Sequence, residues 1–267
     1  MTITFLGTGT SQGIPVIGSN HPVCFSDDPR DTRLRVSVLI EWEDYHYVID
    51  CGPDFRMQML STLSRKRTPS GDLVPLNGIL FTHEHADHVA GLDDIRPFVF
   101  KQGDVPIYAH TRVLDILKER FEYIFATENR YPGAPKVSAY EVMNGQSISL
   151  GGVDVIPIEG YHGTLQVFGY RFDRMAYLTD IKTIASEEIE KLQGLDILVI
   201  NALRYEEHHT HLNVAEALAL IEKIKPKRTY FTHISHYMGF HAEVEAQLPD
   251  HVYLAYDGLI LTTPDET

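Results

Sequence analysis

The chain has 267 residues, of which 43% are hydrophobic and 10% aromatic, so it can bury a core near the upper size of one domain. We therefore expect a single domain over residues 1–267. Its 23 basic and 37 acidic residues give a formal net charge of −14, a field that repels polyanions and argues against an extended nucleic-acid surface.

The N-terminal sequence "MTITFLGTGT" has no charged leader followed by a long apolar stretch, and no run approaches the roughly 18 apolar residues of a membrane span. We expect a cytoplasmic protein without a membrane partner. Its two cysteines, Cys24 and Cys51, are better explained by metal binding or burial than by a disulfide.

The first half of the chain alternates short apolar runs with turn residues. "ITFLG", "LRVSVLIEW" and "YHYVIDCG" predict strands, the last two as a hairpin. "DFRMQMLSTLS" has helical spacing, with Asp54 available as its cap. "NGILFT" and "VPIYAH" predict two further strands, and "TRVLDILKERFEYIF" predicts an amphipathic helix with apolar residues from Val113 through Ile124.

The second half supplies another set of strands and a capped helix. The predicted strands are "KVSAYEV", "SISLGGVDVIPI", "LQVFGYRF", "MAYLTD", "LDILVIN", "RTYFTH" and "HVYLAYDGLIL". "NVAEALALIEKIK" predicts a helix capped by Asn213, with Glu216 three residues later. Because strands come in runs in both halves, and each half also carries helices, we expect two stacked sheets with helices outside. The predicted fold class is α/β (α+β), a four-layer αββα sandwich.

The stretch "FTHEHADHVAGL" concentrates polar side chains directly after the predicted strand "NGILFT". His83 and His85 are two positions apart in extended chain, where side chains repeat every second residue, so they point the same way. Asp87 and His88 follow as the chain turns and face a neighbouring point. Imidazole nitrogen and carboxylate oxygen both bind metals such as zinc, at about 2.0 to 2.2 Å. The motif therefore predicts parts of two adjacent metal sites.

One motif cannot complete two metal sites, so further ligands are needed at other strand ends. His162 follows "VDVIPIEGY", Asp180 ends "MAYLTD" and His233 ends "RTYFTH". These three residues are the candidates. The identity of the metal stays open, because zinc, manganese and iron all accept mixed nitrogen and oxygen ligands.

The motif His83-x-His85-x-Asp87-His88, followed by a later histidine, aspartate and histidine at strand ends, resembles the metallo-β-lactamase fold hydrolases. The match runs from "FLGTGTSQG" to "AYDGL". The resemblance implies the metallo-β-lactamase fold and a centre with two divalent metal ions, Zn or Mn. The ligands that it assigns to one ion are His83, His85 and His162. The ligands that it assigns to the other ion are Asp87, His88 and His233, with Asp180 as the bridge.

The branch of this superfamily is indicated by the bridging aspartate, since many true β-lactamases carry a cysteine there. "GTGTSQGIP", "GSNHPVC" and "THISH" together resemble the phosphoribosyl 1,2-cyclic phosphate phosphodiesterases and their relatives. The resemblance implies a phosphoric diester hydrolase for a small cyclic substrate such as 5-phosphoribosyl 1,2-cyclic phosphate. A hydroxide that bridges the metals would attack phosphorus, and Asp87 would help to orient it. The resemblance also implies a homodimer.

In that branch an N-terminal loop carries ligands for a separate structural zinc. His21, Cys24 and His236 match its ligand positions, while Ser19 stands where a cysteine is expected. The site would be three-coordinate with water, completed by a different neighbour, or empty. A turn-rich loop with one buried thiol is the alternative interpretation of "GSNHPVC".

The cluster "YEEHHTHLN" supplies a candidate proton donor. The branch has a histidine at the position of His209, which is suited to protonate the leaving oxygen, and His211 would hold or support it. In the alternative interpretation, both histidines lie on the surface and have no catalytic role. Asp50 is a candidate to accept a hydrogen bond from the ring nitrogen of a metal-binding histidine that does not contact the metal. In the alternative interpretation it accepts from the turn at Cys51 and Gly52. Arg35 and Arg56 could reach a substrate phosphate, but the sequence does not place them.

Three other functions are compatible with the motif. A ribonuclease that matures transfer RNA shares it but usually adds a long basic arm, which this sequence does not show. A thiolester hydrolase would use the same centre on a carbonyl carbon. A non-catalytic metal-binding relative from quinone-cofactor synthesis is the third, because "IDCGPDFR" is similar to such sequences. Intact ligands at all seven positions argue against that third function.

Overall fold

The computed structural model describes residues 1–263, whose strands form two β-sheets. The strands of the first sheet are β1 (Thr2–Gly7), β2 (Ser37–Trp42), β3 (Tyr45–Ile49), β4 (Gly78–Leu80), β5 (Val105–Ala109), β6 (Val137–Glu141) and β15 (Ile260–Thr262). Their spatial order is β15-β1-β2-β3-β4-β5-β6. The predicted hairpin is confirmed, because β2 and β3 pair antiparallel.

The second sheet is built from the middle and later part of the chain. Its strands are β7 (Ile148–Leu150), β8 (Val153–His162), β9 (Leu165–Phe172), β10 (Met175–Leu178), β11 (Thr183–Ile184), β12 (Ile197–Asn201), β13 (Arg228–Thr232) and β14 (Val252–Leu254). The spatial order is β11-β8-β9-β10-β12-β13-β14, and β7 pairs with β8.

Short helices connect the strands. The α-helices are α1 (Phe55–Ser61), α2 (Ala86–Val89), α3 (Arg96–Gln102), α4 (Thr111–Arg120), α5 (Glu122–Phe125), α6 (Ser186–Glu190), α7 (Val214–Ile224) and α8 (His241–Glu245). Turns of 3-10 helix span Pro22–Phe25, Pro29–Asp31, Leu63–Arg65, Leu92–Ile95 and His236–Met238. Among residues 1–263, every helix is too short or too polar to span a bilayer.

Apolar side chains form three packed layers. The central layer lies between the sheets and includes Phe5 and Ile49 of the first sheet with Tyr170 and Val199 of the second. A second layer joins the first sheet to α1, α3, α4 and α5. A third joins the second sheet to α7 and α8. The order helix, sheet, sheet, helix confirms the predicted four-layer αββα sandwich.

Strand β12 shows why this architecture needs continuous apolar runs. All five of its residues are buried. Val199 belongs to the layer between the sheets, whereas Leu198 and Ile200 belong to the layer under the helices. Successive side chains of a strand face opposite sides, so a strand covered on both faces must be apolar at every position.

Two predicted helix features turn out differently. The helix predicted from Val113 through Ile124 breaks at Phe121, whose φ of −123° and ψ of 42° are not helical. Asp54 precedes α1, but its side chain makes no capping bond. Its carboxylate accepts from the backbone N–H of Arg35 at 2.8 Å and pairs with Arg35 Nε at 3.0 Å. The predicted cap of α7 is confirmed, since Asn213 and Glu216 form a capping box.

The final predicted strand, "HVYLAYDGLIL", is two strands in two sheets. Strand β14 pairs with β13 in the second sheet, whereas β15 pairs with β1 in the first. The turn between them contains Gly258, at a φ of 88° that favours glycine. The chain therefore crosses between the sheets at this glycine-containing turn.

Each sheet has a parallel half. Strands β3 to β6 run parallel in the first sheet, and β10, β12, β13 and β14 run parallel in the second. The carboxyl ends of parallel strands meet at one edge of a sheet, and loops at such edges carry the functional residues of many α/β proteins.

A buried polar network joins the N-terminal part of the chain to its C-terminal part. The Arg33 guanidinium donates to Thr8 Oγ1 at 2.8 Å and lies 3.1 Å from Nδ1 of His241. The backbone N–H of His241 donates to Asp31 Oδ1 at 2.7 Å. Burial, followed by the charges of Arg33 and Arg30, lowers the pKa of His241 to about 4. The folded protein therefore holds this imidazole neutral, able to accept from Arg33.

Acidification should destabilise the fold through His241. Its pKa is about 4 in the folded protein and about 6.5 in an unfolded chain, so the unfolded state binds the extra proton between these values. Stability is complete above about pH 6.5 and falls, by up to about 3 kcal/mol, as the pH drops towards 4. Urea unfolding across this window should show a smaller loss for His241→Asn, which keeps an acceptor but does not titrate. Equal losses in both proteins would contradict this account.

Candidate metal centre

The predicted motif lies just past the carboxyl end of β4, and α2 begins within it at Ala86. His83 is fully buried, and its Nε2 lies 2.9 Å from Nδ1 of His85. The two imidazoles therefore turn a nitrogen towards the same place, in agreement with their two-residue spacing.

Asp180, two residues past β10, has its carboxylate between two imidazoles. Its Oδ2 lies 3.2 Å from His88 Nε2, and its Oδ1 lies 3.2 Å from His233 Nε2. Asp87 Oδ2 approaches the same nitrogens, at 3.3 Å from His88 and 3.8 Å from His233. Four side chains from three separate parts of the chain thus share one small space.

His162, the last residue of β8, stands beside the motif. Its ring centroid lies 5.9 Å from that of His83 and 5.2 Å from that of His85. Its Nδ1 donates to the carbonyl of Thr210 at 2.9 Å, so Nε2 is the nitrogen left for a ligand role. The structure therefore brings all seven of the predicted metal-ligand residues together.

Hydrogen bonds behind the motif orient two of its rings. Asp50 is fully buried and accepts from Nδ1 of His88 at 2.7 Å. It also accepts from the N–H and the Oγ1 of Thr82, each at 2.8 Å. Thr82 Oγ1 in turn lies 3.0 Å from Nδ1 of His83. Such outward bonds leave the Nε2 lone pairs of the imidazoles directed inward, as metal-binding histidines require.

Three residues of the centre have left-handed backbone. Asp50, Asp180 and His233 have φ of 64°, 55° and 54°, and each lies within two residues of a strand end. Residues other than glycine adopt this conformation at a cost of order 1–2 kcal/mol, and such strain collects at functional sites. Three residues of the candidate metal centre are therefore held in a strained backbone conformation.

The side chain of Asn201 holds the turn that follows Asp180. Its Oδ1 accepts from the N–H of Ile181 at 2.9 Å, and its Nδ2 donates to the Ile181 carbonyl at 3.0 Å. Asn201 is fully buried at the end of β12, the neighbour of β10. Sequence reasoning missed this role. Its signal is one asparagine at the end of the apolar strand "ILVIN".

Glu84, between the first two motif histidines, faces the other way and contacts α4. Arg112 approaches both of its carboxylate oxygens, with Nε at 3.0 Å and Nη2 at 3.1 Å. Arg120 donates to the Glu84 carbonyl at 2.5 Å. Sequence reasoning also missed this helix contact. The alternation of side chains indicates that Glu84 points away from His83 and His85, but it does not identify α4 as the partner.

The charges of the centre are coupled. Burial raises the pKa of Asp180, but His233 and His88 outweigh burial and hold it well below its usual value. Burial lowers the pKa of His88, but nearby carboxylates, chiefly Asp87 and Asp50, hold it well above its usual value. Burial and the charge of His88 lower the pKa of His83 well below 6.5. The ionised Asp180 and the neutral His83 are therefore in the forms that bind metals, whereas His88 would release a proton when a metal binds.

The residues present fit a metal centre. Nε2 of His88 and Nε2 of His233 are buried, and no atom of residues 1–263 forms a hydrogen bond with either. A buried polar atom without a partner is costly, and a cation between these nitrogens and the carboxylates would satisfy them. Three groups have ligand atoms within 4.8 Å of one another, namely His83–His88–Asp180, Asp87–His88–His233 and His162–Asp180–His211.

The two candidate residues for proton transfer lie in different environments. His211 is buried, with Nδ1 3.5 Å from Asp180 Oδ1 and its ring stacked 4.8 Å from that of His233. Burial and the charge of His233 lower the pKa of His211 to about 2. His209 is exposed and stacks 4.5 Å from the ring of His208, in the loop between β12 and α7.

The residues predicted for a structural zinc lie partly together. The rings of His21 and His236 are 5.2 Å apart and nearly perpendicular. Cys24 is buried, and its Sγ accepts from the N–H of Val16 at 3.5 Å. Ser19 Oγ accepts from the N–H of His21 at 3.1 Å. The compact groups described above contain none of these residues, so the structural zinc stays a prediction.

Comparison with known proteins defines the class. The sequence profile described as "Beta-lactamase superfamily domain" matches residues 45–234. The chain therefore belongs to the β-lactamase superfamily. A crystal structure of a diphosphatase from the PhnP family is 41% identical, with a TM-score of 0.87, over 97% of this chain and 96% of that one. Within the superfamily, the chain belongs to the PhnP family.

Two further proteins are similar to this chain. The Zn²⁺-bound PqqB of Methylobacterium extorquens has a TM-score of 0.82 at 17% identity, covering 98% of this chain and 100% of that one, which is a likeness of fold. An octanoyltransferase of Porphyromonas gingivalis is 39% identical over 261 residues. That match covers 97% of this chain but 51% of the octanoyltransferase, so this chain spans about half the length of that relative.

Replacing Asp50 with asparagine should weaken metal binding without removing a metal ligand. Asp50 accepts hydrogen bonds from three donors, and an amide group would turn its own donor towards one of them. We expect zinc affinity to fall about 10–100-fold, measured by competition with a chromophoric chelator. Asp31→Asn, which alters another buried hydrogen-bonded carboxylate, is the matched control. Unchanged affinity in Asp50→Asn, or an equal loss in the control, would refute the role of Asp50.

Proposed function

We propose that the protein is a two-metal hydrolase that cleaves phosphorus–oxygen bonds. When bound, two divalent cations, zinc or manganese, would activate water and neutralise developing negative charge. The residues proposed to hold one ion are His83, His85 and His162. The residues proposed to hold the other are Asp87, His88 and His233. Asp180 is proposed to contact both ions.

The observation that carries this proposal is the position of the Asp180 carboxylate. Its two oxygens face different imidazoles, His88 and His233, at the same distance of 3.2 Å. A carboxylate shared in this way can contact two ions at once. The cluster is also acidic, with the pKa of Asp180 held well below its usual value, so an anionic phosphate needs cations there to bind.

The proposed substrate is a small cyclic phosphodiester, such as 5-phosphoribosyl 1,2-cyclic phosphate. Membership of the PhnP family supports phosphorus as the reacting atom, because its 41% identical member is a diphosphatase. Diphosphate cleavage and phosphodiester cleavage both displace an oxygen leaving group from phosphorus. The two substrate classes therefore place the same demands on the centre and must be compared directly.

The octanoyltransferase relative raises acyl transfer as a second candidate. We attribute octanoyl transfer to the part of that relative outside its match with this chain, since the match covers 51% of its length. Cys24 and Cys51 are both buried, so neither thiol is exposed to accept an acyl group. The side chains around the centre are imidazoles and carboxylates. Hydrolysis of octanoyl-coenzyme A by this chain would instead support the thiolester function.

Two histidines are proposed to act on the substrate in different ways. His211 is held neutral by its surroundings and stands 3.5 Å from Asp180, so we assign it to orientation of that carboxylate and of the substrate by hydrogen bonding. His209 is exposed in the β12–α7 loop, two residues before His211. We assign it to protonation of the leaving oxygen, which must depart towards solvent.

Phosphorus NMR tests the reaction directly. Zinc- or manganese-loaded protein should convert the cyclic diester signal of 5-phosphoribosyl 1,2-cyclic phosphate to a monoester signal. His85→Ala should lose both metal and conversion, because it removes one proposed ligand. A parallel NMR sample should contain a nucleoside diphosphate, and a further sample should contain octanoyl-coenzyme A, whose hydrolysis is followed by release of the free thiol because its phosphorus atoms do not react. Conversion of the thioester alone would replace the proposed function, and no conversion of any substrate by fully loaded protein would leave only a binding role.

The proton-donor assignment predicts a dependence on the leaving group. His209→Ala should lower turnover of the cyclic sugar phosphate about 10²–10⁴-fold, because a sugar alkoxide leaves poorly without a proton. Turnover of bis(4-nitrophenyl) phosphate, whose leaving group needs no proton, should change little. His211→Ala should slow both substrates, and His208→Gln serves as the neighbouring control. Equal effects of His209→Ala on both substrates would contradict the assignment.

A further inference from the structure

Arg204 lies at the edge of the sheet where the metal centre is built. Strand β12 is placed between β10, which leads to Asp180, and β13, which leads to His233. Leu203, the residue before Arg204, donates to the Leu212 carbonyl at 2.9 Å and accepts from the N–H of Ser235 at 3.0 Å. Arg204 is therefore fixed beside the segments that carry His211 and His233.

The side chain of Arg204 is ordered by an aromatic ring and has little other support. Its Cζ lies 5.7 Å from the centroid of the Tyr237 ring, a distance at which a cation is attracted to the ring face. Its Nε is buried and, like Nε of Arg35 and Arg112, forms no hydrogen bond within residues 1–263. The nearest carboxylate in an ion pair is Glu206, at 3.7 Å, and that side chain is 70% exposed. Water therefore screens this pair strongly.

Other cations around the centre already have partners. Arg35 pairs with Asp54 at 3.0 Å, Lys182 with Glu216 at 2.6 Å, and Arg112 with Glu84 at 3.0 Å. Arg204 is different because its ion pair is long and exposed. Arg204 also acts on a neighbouring histidine: burial, then the charge of His209, then the charge of Arg204 lower the pKa of His208. The ring of His208 lies 5.1 Å from that of His211.

We propose that Arg204 determines specificity by binding a second phosphate of the substrate, one that is not cleaved. A planar guanidinium with free donors matches two phosphate oxygens at once, and the Tyr237 ring fixes its orientation. In a chain with a net charge of −14, such a cation offsets repulsion of a multiply charged substrate. This inference rests on the proposed function and narrows its substrate class to phosphate esters that carry an additional phosphate.

A binding experiment tests this proposal without requiring turnover. Zinc-loaded protein is titrated by calorimetry with ribose 1,5-bisphosphate and with ribose 1-phosphate, which differ only in the second phosphate. Wild type should bind the bisphosphate more tightly. Arg204→Met should weaken bisphosphate binding about 10–100-fold, as expected for a lost charge-assisted hydrogen bond, and should leave monophosphate binding nearly unchanged. Arg204→Lys, which keeps the charge but loses the planar fork, should fall between them.

Arg65→Met is the matched control, because Arg65 is exposed, donates to the Leu60 carbonyl at 3.2 Å, and lines a surface pocket with Thr2 and Glu41 rather than with residues of the metal centre. This variant should bind both ligands like wild type. Zinc content is measured for every protein, so that a lost ion is not mistaken for a lost contact.

Kinetics provide a second measurement where the cyclic substrate is cleaved. Arg204→Met should raise KM for 5-phosphoribosyl 1,2-cyclic phosphate with little change in kcat, and should not affect ribose 1,2-cyclic phosphate. An equal effect on both substrates, or on both titrated ligands, would overturn the role of Arg204. So would wild-type protein that fails to prefer the bisphosphate. Selective bisphosphate binding without any cleavage would retain this inference and reject the proposed reaction.

Discussion

The rest of the site depends on the position of the Asp180 carboxylate. It lies between His88 and His233, at 3.2 Å from an imidazole nitrogen of each. Taking an ionised carboxylate out of water is expensive unless opposite charge compensates it. Here the compensation comes from imidazoles, whose Nε2 atoms lie 3.2 Å from the carboxylate without forming a hydrogen bond, so a cation between them would satisfy both kinds of group. These buried polar groups would therefore destabilise an ordinary core, but together they form a suitable set of metal ligands.

The double sheet explains how residues so far apart in sequence meet. His83 follows β4 in the first sheet, and Asp180 and His233 follow β10 and β13 in the second. Each of these strands belongs to a parallel half, so their carboxyl ends open at one edge. Bonds from β9 tie the sheets at this edge, since Phe168 donates to the Thr82 carbonyl at 3.0 Å and Tyr170 to the Phe81 carbonyl at 2.7 Å. The ligand positions are thereby set by sheet geometry more than by loops.

The sequence predicted the layers and the ligand cluster because both follow from local rules: apolar runs mark strands, and the spacing of His83 and His85 places them on one side of extended chain. It did not reveal Asn201 or the pairing of Glu84 with Arg112, because these roles arise from contacts between segments that only the fold brings together. The break at Phe121 was missed because apolar periodicity continues through that position, and only backbone conformation ends the helix. The break at Gly258 was missed although the dipeptide Asp257-Gly258 is a turn signal in the sequence. The role of Arg204 concerns the substrate, which no local pattern describes, whereas the role of His209 was suggested by resemblance to a family and not by a local rule.

The pairing of β15 with β1 also bears on how the chain reaches this structure. The first and last strands described are neighbours, and Thr2 stands opposite Thr262. As the chain is synthesised, β2 can pair with one side of β1 early, but the other side of β1 stays open until Ile260–Thr262 has been made. An open strand edge is a template for pairing with other chains, and late non-local pairing slows folding. Protection of nascent chains therefore matters most before that last strand forms.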